Sequence, residues 1–169
     1  MADNFTYKRM VDLVSSDNIT FTVSRATIRQ SGLVNNMIQD LGLDEPEAPQ
    51  QPIPLPNVDS NILARIVDYC EHHQNSIIPV KNRKQMEISQ WDEAFLDVEQ
   101  VTLYHLMMAA NYMDIKNLVR ACAKVIAGMI KGKSTAQMRK LFNIKNDFTP
   151  AEEQLIRQEN SWCENLPKE

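Results

Sequence analysis

The chain has 169 residues, of which 43% are hydrophobic and 24% charged, a composition typical of one globular domain with a modest extension. Its net charge of −4 and pI of about 5.4 disfavour a nucleic-acid-binding protein, because such proteins usually present a basic face. Three widely spaced cysteines, no signal-like start and no apolar run near the roughly 20 residues that span a bilayer predict an intracellular protein without disulfides or membrane segments.

The first predicted elements are the two strands of a β-hairpin. Apolar and polar residues alternate around Val11 and Leu13, and again around Phe21 and Val23. Between these runs, residues 15–18 form a Ser/Asp/Asn cluster that favours a tight turn. One face of each strand is therefore expected to be apolar and buried.

A broken helix and a proline-rich connector follow the hairpin. The pattern over 24–41 is helical with a break near 31–32, and Gly42 stands where a helix C-cap favours glycine. Repeated prolines make 44–52 a loop, since proline removes a backbone donor and fixes φ. The run 53–56 also contains proline but suits a short edge strand, where a missing donor is tolerated.

Several helices are predicted in the middle of the chain. Asp59 is the expected N-cap of a strongly periodic helix, and the polar segment 74–89 is expected to be a loop. A short helix is predicted over 91–98 and a longer one around 103–110. Asp114 is the expected N-cap of the next helix.

Two capping boxes mark the starts of two late helices, predicted over 134–142 and 149–163. Ser134 and Thr149 are expected to accept a hydrogen bond from the backbone three residues later, where a Gln or Glu side chain caps in return. Strands followed by a run of helices predict an α+β fold with a mainly helical core.

A relaxed phosphate-loop pattern lies at 127–134. Such a loop would need a buried strand before it, so that backbone N–H groups could surround the phosphates. Here apolar residues continue at helical spacing into the motif. A helix that ends near Gly132, followed by Ser134 as the next N-cap, explains the pattern better than nucleotide binding does.

Cys70, His72 and His73 raise the question of a metal site. Structural zinc usually takes four ligands from two clusters, and neither His105 nor Cys163 has a second ligand beside it. Cys70 falls on the apolar helix face and is expected to be buried, whereas the two neighbouring histidines are expected to be solvated at the helix end. We therefore expect no metal, no cofactor and no catalytic residue.

Apolar residues exceed what one buried face needs on the 103–110 helix. Its core stripe is predicted to contain Leu103, Leu106, Met107 and Ala110. Another face carries further apolar or aromatic residues with an asparagine between them. This second face is either buried inside the same domain or docks a partner; its residues are Tyr104, Met108, Asn111 and Tyr112.

The last third of the chain shows the same excess on two short helices and their connector. Short helices are marginal alone, so their large apolar side chains must be covered. Either they fold back on the main domain or they line a groove that a partner helix completes. The residues concerned are Met138, Leu141, Phe142, Ile144, Phe148, Leu155, Ile156 and Trp162.

Six segments carry motifs of a known protein family: 54–58, 91–96, 109–116, 129–134, 142–149 and 159–163. In order and spacing they resemble the S-phase-kinase-associated (Skp) family, the BTB/POZ-fold adaptor subunits of SCF (Skp–cullin–F-box) ubiquitin ligases. The similarity extends over nearly the whole chain from about Val11.

This resemblance implies a BTB/POZ domain over 1–132 that binds a cullin, and a helical extension over 133–169 that binds F-box proteins. It implies a non-enzymatic adaptor in ubiquitin-dependent degradation, present in the cytoplasm and nucleus. The sequence leaves open whether the chain forms a homodimer when no F-box protein is bound. The alternative is a self-associating BTB/POZ module of transcription or channel assembly.

The resemblance also implies two sets of binding residues. Asn111 and Tyr112 match the family's cullin-contacting motif, and Tyr104 and Met108 share their side of the helix. The residues implied to bind an F-box are Val125, Met129, Leu141, Phe142, Ile144, Phe148, Ile156 and Trp162.

Overall fold

A computed structural model describes residues 9–43, 51–75 and 88–161. The chain divides into two compact units, with the boundary between Gly128 and Met129. No helix in the described ranges combines the length and the apolar character needed to cross a bilayer. The elements are β1 (Met10–Ser15), β2 (Thr20–Ser24), α1 (Arg25–Ile28), α2 (Gly32–Asp40), β3 (Ile53–Leu55), α3 (Ser60–His72), α4 (Gln90–Leu96), α5 (Gln100–Tyr112), α6 (Lys116–Ile130), α7 (Thr135–Leu141) and α8 (Pro150–Glu159).

The three strands form one small sheet in the order β2-β1-β3. β1 and β2 pair antiparallel with Val11 opposite Val23, which confirms the predicted hairpin. β3 pairs parallel to β1 with Ile53 opposite Leu13. Because β3 is an edge strand, its central Pro54 leaves no ladder bond unmade, and the predicted edge strand is also confirmed.

The first unit places its core between this sheet and helices α1 to α6. Cys70 and Cys122 lie within the core, and burial raises the pKa of both thiols to about 12, so neither forms a thiolate near neutral pH. The burial predicted for Cys70 is therefore confirmed, whereas Cys163 lies outside the described residues. The largest fully buried side chains include Leu13, Ile28, Ile38, Ile53, Leu63, Ile66, Tyr69, Leu103, Leu106 and Met113.

Side-chain caps explain where several helices of the first unit begin. Asp59 accepts a hydrogen bond from the N–H of Ile62 at 2.9 Å, as predicted. Ser31 accepts from the N–H of Val34 at 3.2 Å, which accounts for the break between α1 and α2. Gly42 closes α2 with φ +61°, a left-handed conformation that glycine adopts without strain.

Ser31→Ala is expected to lower the free energy of unfolding by about 2 kcal/mol, because a buried hydroxyl with two partners is lost. Besides capping α2, Ser31 is fully buried and donates to the carbonyl of Met113 at 2.6 Å. Urea denaturation of the full chain measures the change. Ser16→Ala, at an exposed turn position, is the control, and an equally small effect of both substitutions would contradict the prediction.

The junction between α5 and α6 differs from the prediction. Asp114 is not an N-cap: its φ is +52°, and its N–H donates to the carbonyl of Asn111 at 3.1 Å. It therefore closes α5 in a left-handed conformation, and α6 begins at Lys116. Met107 is only half-buried, whereas Ala109 joins the predicted core residues of α5, so the core stripe is rotated slightly from the one predicted.

His73 is buried, so its predicted solvation at a helix end was wrong. Its Nε2 lies 2.7 Å from Oδ1 of Asp92, which is also buried. Asp92 in turn closes a capping box with Ser89 at the start of α4. The pair is surrounded by aromatic rings, since Tyr69 lies 4.5 Å and Trp91 5.6 Å from the His73 ring centroid. His72 is exposed, as predicted.

The second unit contains α7, α8 and the connector between them. Both predicted capping boxes are present: Gln137 Oε1 accepts from the N–H of Ser134, and Glu152 Oε2 accepts from that of Thr149, each at 2.8 Å. The N–H of Thr149 and, next, its hydroxyl both donate to Glu152 and hold the pKa of the Glu152 carboxyl below its usual value. Gly132, with φ +72°, follows the end of α6 as predicted, so residues 127–130 of the phosphate-loop pattern are helical.

Candidate partner-binding surfaces

The outer face of α5 carries the residues predicted to bind a cullin. Tyr104 is 57% and Met108 51% exposed, Asn111 is exposed and Tyr112 is half-buried. They are spaced by four, seven and eight positions from the first of them, so they share one side of the helix. The opposite side of α5 faces the core. The structure thus brings these four residues together on one exposed surface, called here the α5 surface.

Val101 extends the α5 surface and was missed by the sequence analysis. Its side chain is 64% exposed and lies three positions before Tyr104. The same helical spacing that grouped Tyr104 with Met108 could have found it. Large apolar groups clustered on a surface mark an interaction site more often than isolated ones do. The α5 surface therefore has the character expected of a protein-binding site.

A shallow cleft of about 310 Å³ borders the α5 surface at Met108. Four parts of the fold line it: the β1–β2 turn with Ser16, the segment after β3 with Asn57, α3 with Ile62, and α5 with His105. The N–H of Ser16 donates to the carbonyl of Val58 at 2.8 Å, which ties the turn to that segment. Only the folded chain joins these distant segments, so no local sequence pattern indicated the cleft.

Asp17, next to Ser16 in the β1–β2 turn, also fixes the position of this turn. Its carboxylate accepts hydrogen bonds from the N–H of Ser60 at 2.9 Å and from the Ser60 hydroxyl at 2.5 Å. The hydroxyl bond is the main reason why the pKa of Asp17 is lowered. The edge of the cleft is therefore held by specific bonds.

The second unit exposes apolar side chains at several of the positions predicted to bind an F-box. No residue of α7 or α8 is buried. Ile144 is 57% and Phe148 46% exposed, and Ile156 is also exposed. Met129, Leu141 and Phe142 are half-buried; Trp162 lies outside the described residues. Val125 is half-buried on α6, within the first unit.

Two further large apolar residues of the second unit are exposed and were not among the predicted F-box-binding positions. Ile130 ends α6 and Leu155 lies on α8, next to Ile156. Leu155 belongs to the apolar excess predicted for the last third of the chain, but the family resemblance does not assign it to F-box binding. The large apolar side chains that are exposed in the second unit are called here the C-terminal apolar surface. They are Ile130, Ile144, Phe148, Leu155 and Ile156.

Polar contacts hold the connector of the second unit against both helices. Arg139 Nη1 on α7 and Asn146 Nδ2 in the connector donate to the same oxygen, Glu153 Oε1 on α8, at 2.8 and 2.9 Å. Both bonds, first of all the one from Arg139, favour the charged form of Glu153. They therefore hold the pKa of the Glu153 carboxyl below its usual value. The guanidinium carbon of Arg139 also lies 5.7 Å from the centroid of the Phe148 ring.

The described ranges contain no group of three or more His, Cys, Asp or Glu side chains that could hold a metal ion. His73 and Asp92 pair with each other inside the first unit. The chemistry that the described surfaces offer is burial of apolar area against another molecule.

Comparison with known protein families supports the resemblance seen in the sequence. Residues 9–75 match the POZ model described as "Skp1 family, tetramerisation domain", and residues 116–163 match "Skp1 family, dimerisation domain". The POZ match and the small sheet with a mainly helical core confirm the predicted α+β fold.

Curated relatives are similar over almost the whole chain. A Skp1-related protein of Caenorhabditis elegans is 46% identical, covering 94% of this chain and 93% of the relative. The SCF ubiquitin ligase complex protein SKP1a of Dictyostelium discoideum is 45% identical, covering 92% and 96%. The E3 ubiquitin ligase complex SCF subunit sconC of Talaromyces marneffei is 43% identical, covering 92% and 97%. With both family models matched in order and this identity over nearly its full length, the chain belongs to the Skp1 family.

Proposed function

We propose that this protein is the adaptor subunit of an SCF ubiquitin ligase, which links F-box substrate receptors to a cullin scaffold for ubiquitin-dependent degradation. The observation that carries the proposal is a pair of exposed apolar surfaces, on α5 and in the second unit, on a chain whose relatives are named as SCF subunits. These names count against a self-associating module of transcription or channel assembly. We expect the adaptor to act in the cytoplasm and nucleus.

An adaptor of this kind works through geometry and affinity and carries out no chemistry of its own. We assign cullin binding to the domain over 1–132, through Tyr104, Met108, Asn111 and Tyr112. We assign F-box binding to the extension over 133–169, together with the end of α6. The F-box-binding residues proposed are Val125, Met129, Leu141, Phe142, Ile144, Phe148, Ile156 and Trp162.

Burial of the C-terminal apolar surface supplies the driving force for F-box binding. Full burial of a large apolar side chain contributes about 1.5–3 kcal/mol, and the partly exposed side chains here contribute a fraction of that each. A helix laid along the surface would cover several of them at once, which is how amphipathic helices bind apolar grooves. Such binding needs no catalytic group and no cofactor.

The same exposed surface accounts for a proposed homodimer of the free chain. Without an F-box protein, a second copy would cover Ile144 and Phe148, which are otherwise solvated. We expect light scattering to show a dimer for the chain alone and a one-to-one complex once an F-box domain is added. A free chain that remains monomeric at high concentration would refute the homodimer.

A substitution at the end of α5 tests the assignment of the two surfaces. Asn111→Lys with Tyr112→Ala is expected to weaken binding to a cullin N-terminal domain at least tenfold, because it places a charge and removes an aromatic contact at the proposed interface. F-box binding should be unchanged, as judged by calorimetry with each partner. Gln39→Lys, on the exposed side of α2, is the matched control. Equal loss of both partners in a folded variant would contradict separate surfaces.

A further inference from the structure

Three polar residues form a clamp in the second unit that joins its two helices to the connector. Arg139 lies on α7, Asn146 in the connector 142–149 and Glu153 on α8. The oxygen Oε1 of Glu153 accepts from Arg139 at 2.8 Å and from Asn146 at 2.9 Å. A single carboxylate oxygen therefore ties three successive segments together.

The clamp residues also hold the two most exposed apolar residues of the connector. The N–H of Ile144 donates to the main-chain carbonyl of Arg139 at 2.8 Å. The N–H of Phe148 donates to Oδ1 of Asn146 at 3.4 Å, and the Arg139 guanidinium lies over the Phe148 ring. Ile144 and Phe148 are thus positioned by hydrogen bonds that their own N–H groups donate to residues of the clamp.

Apolar packing within these helices does not explain this arrangement. Neither α7, with 7 residues, nor α8, with 10, contains a buried residue. Helices of this length are marginal in water without tertiary contacts. The capping boxes fix where each helix starts, but they leave the angle between the helices free. The hydrogen bond from Arg139 to Glu153 joins α7 directly to α8.

We propose that Arg139, Asn146 and Glu153 are positioning residues that pre-organise the C-terminal apolar surface for an F-box helix. This inference rests on the proposed F-box binding. Ordering a connector during association costs conformational entropy, so a connector that is already ordered binds more tightly with the same contacts. The clamp acts on the shape of the surface and need not touch the partner.

The clamp is expected to position the connector and to add little to the stability of the whole chain. Partly exposed ion pairs usually contribute little to the stability of a whole domain. The side chains of Arg139 and Glu153 are 24% and 31% exposed. Loss of the clamp is therefore expected to loosen residues 142–149 and to leave the melting of the first unit unchanged.

The test uses the full chain with Glu153→Gln, which keeps the shape of the side chain and removes its charge. We expect amide hydrogen exchange at 142–149 to become several-fold faster, and calorimetry with a recombinant F-box domain to show affinity about threefold to tenfold weaker. Glu159→Gln, the same change at an exposed position of α8, is the control and should leave both measurements unchanged.

A charge exchange separates the clamp from a direct contact with the partner. Arg139→Glu alone should weaken F-box binding, and Arg139→Glu with Glu153→Arg should recover part of the affinity, because the ion pair is restored with opposite polarity. If both residues instead contacted the partner directly, the double variant would bind more weakly than either single variant, and that result would overturn the clamp.

Amide hydrogen exchange tests the clamp independently of the proposed function. A Glu153→Gln chain with wild-type exchange at 142–149 would overturn the clamp, whatever its affinity for F-box domains. Failure of the wild-type chain to bind any F-box domain, together with faster exchange in the variant, would instead overturn the proposed function and the partner named here.

Discussion

Ile144→Glu is expected to weaken binding of an F-box domain about a hundredfold. A carboxylate at this position would be buried without a partner in the complex, which costs about 3 kcal/mol, and each 1.4 kcal/mol corresponds to a factor of ten in affinity. In the free chain the same side chain stays in water, since Ile144 is 57% exposed and its contact with Arg139 is made by the backbone N–H. Calorimetric titration with an F-box domain measures the effect.

Ile19→Glu provides a closely matched control for that experiment. Ile19 is 49% exposed at the end of the β1–β2 turn, so the change of residue and of exposed area is nearly the same. It should bind the F-box domain like the wild type. If Ile144→Glu lost less than threefold in affinity, position 144 would not lie in the interface, and the assignment of the C-terminal apolar surface would fail.

Asp92→Ala is expected to lower the free energy of unfolding by about 3 kcal/mol. The carboxylate of Asp92 accepts from the Ser89 hydroxyl at 2.8 Å and from the Ser89 N–H at 3.4 Å, and it lies 2.7 Å from His73 Nε2. Alanine would remove half of the capping box of α4 and would leave a buried histidine without its partner. Urea denaturation followed by circular dichroism measures the loss.

Glu93→Ala is the control for Asp92→Ala, because Glu93 is acidic, lies in the same first turn of α4 and is exposed. It should change stability by no more than about 0.5 kcal/mol. A loss below about 1 kcal/mol for Asp92→Ala would show that the histidine finds another partner. Since the pair lies in the first unit and includes none of the proposed F-box-binding residues, the folded fraction of the variant should retain F-box binding.

The binding residues could be foreseen only in part. Tyr104 and Met108 were grouped by helical spacing alone, because a helix fixes which residues share a face. Whether that face was covered by the rest of its own domain depended on what packs against α5, and the sequence left both outcomes open. The structure leaves it exposed. The cleft beside Met108 could not be predicted from the sequence, since Ser16 and Asn57 come close to Met108 only when the chain folds.

Local patterns determined where the elements lie. The Asp59 cap and the capping boxes at Ser134 and Thr149 depend on residues three positions apart, and the hairpin follows from two alternating strands and a tight turn between them, so the sequence predicts them directly. The tertiary structure alone decided the partnerships between distant residues. The buried His73 pairs with Asp92, 19 positions later, and Arg139 on α7 bonds to Glu153 on α8, 14 positions later. Which polar groups meet follows from how the helices pack, and that depends on many weak contacts summed over the whole chain.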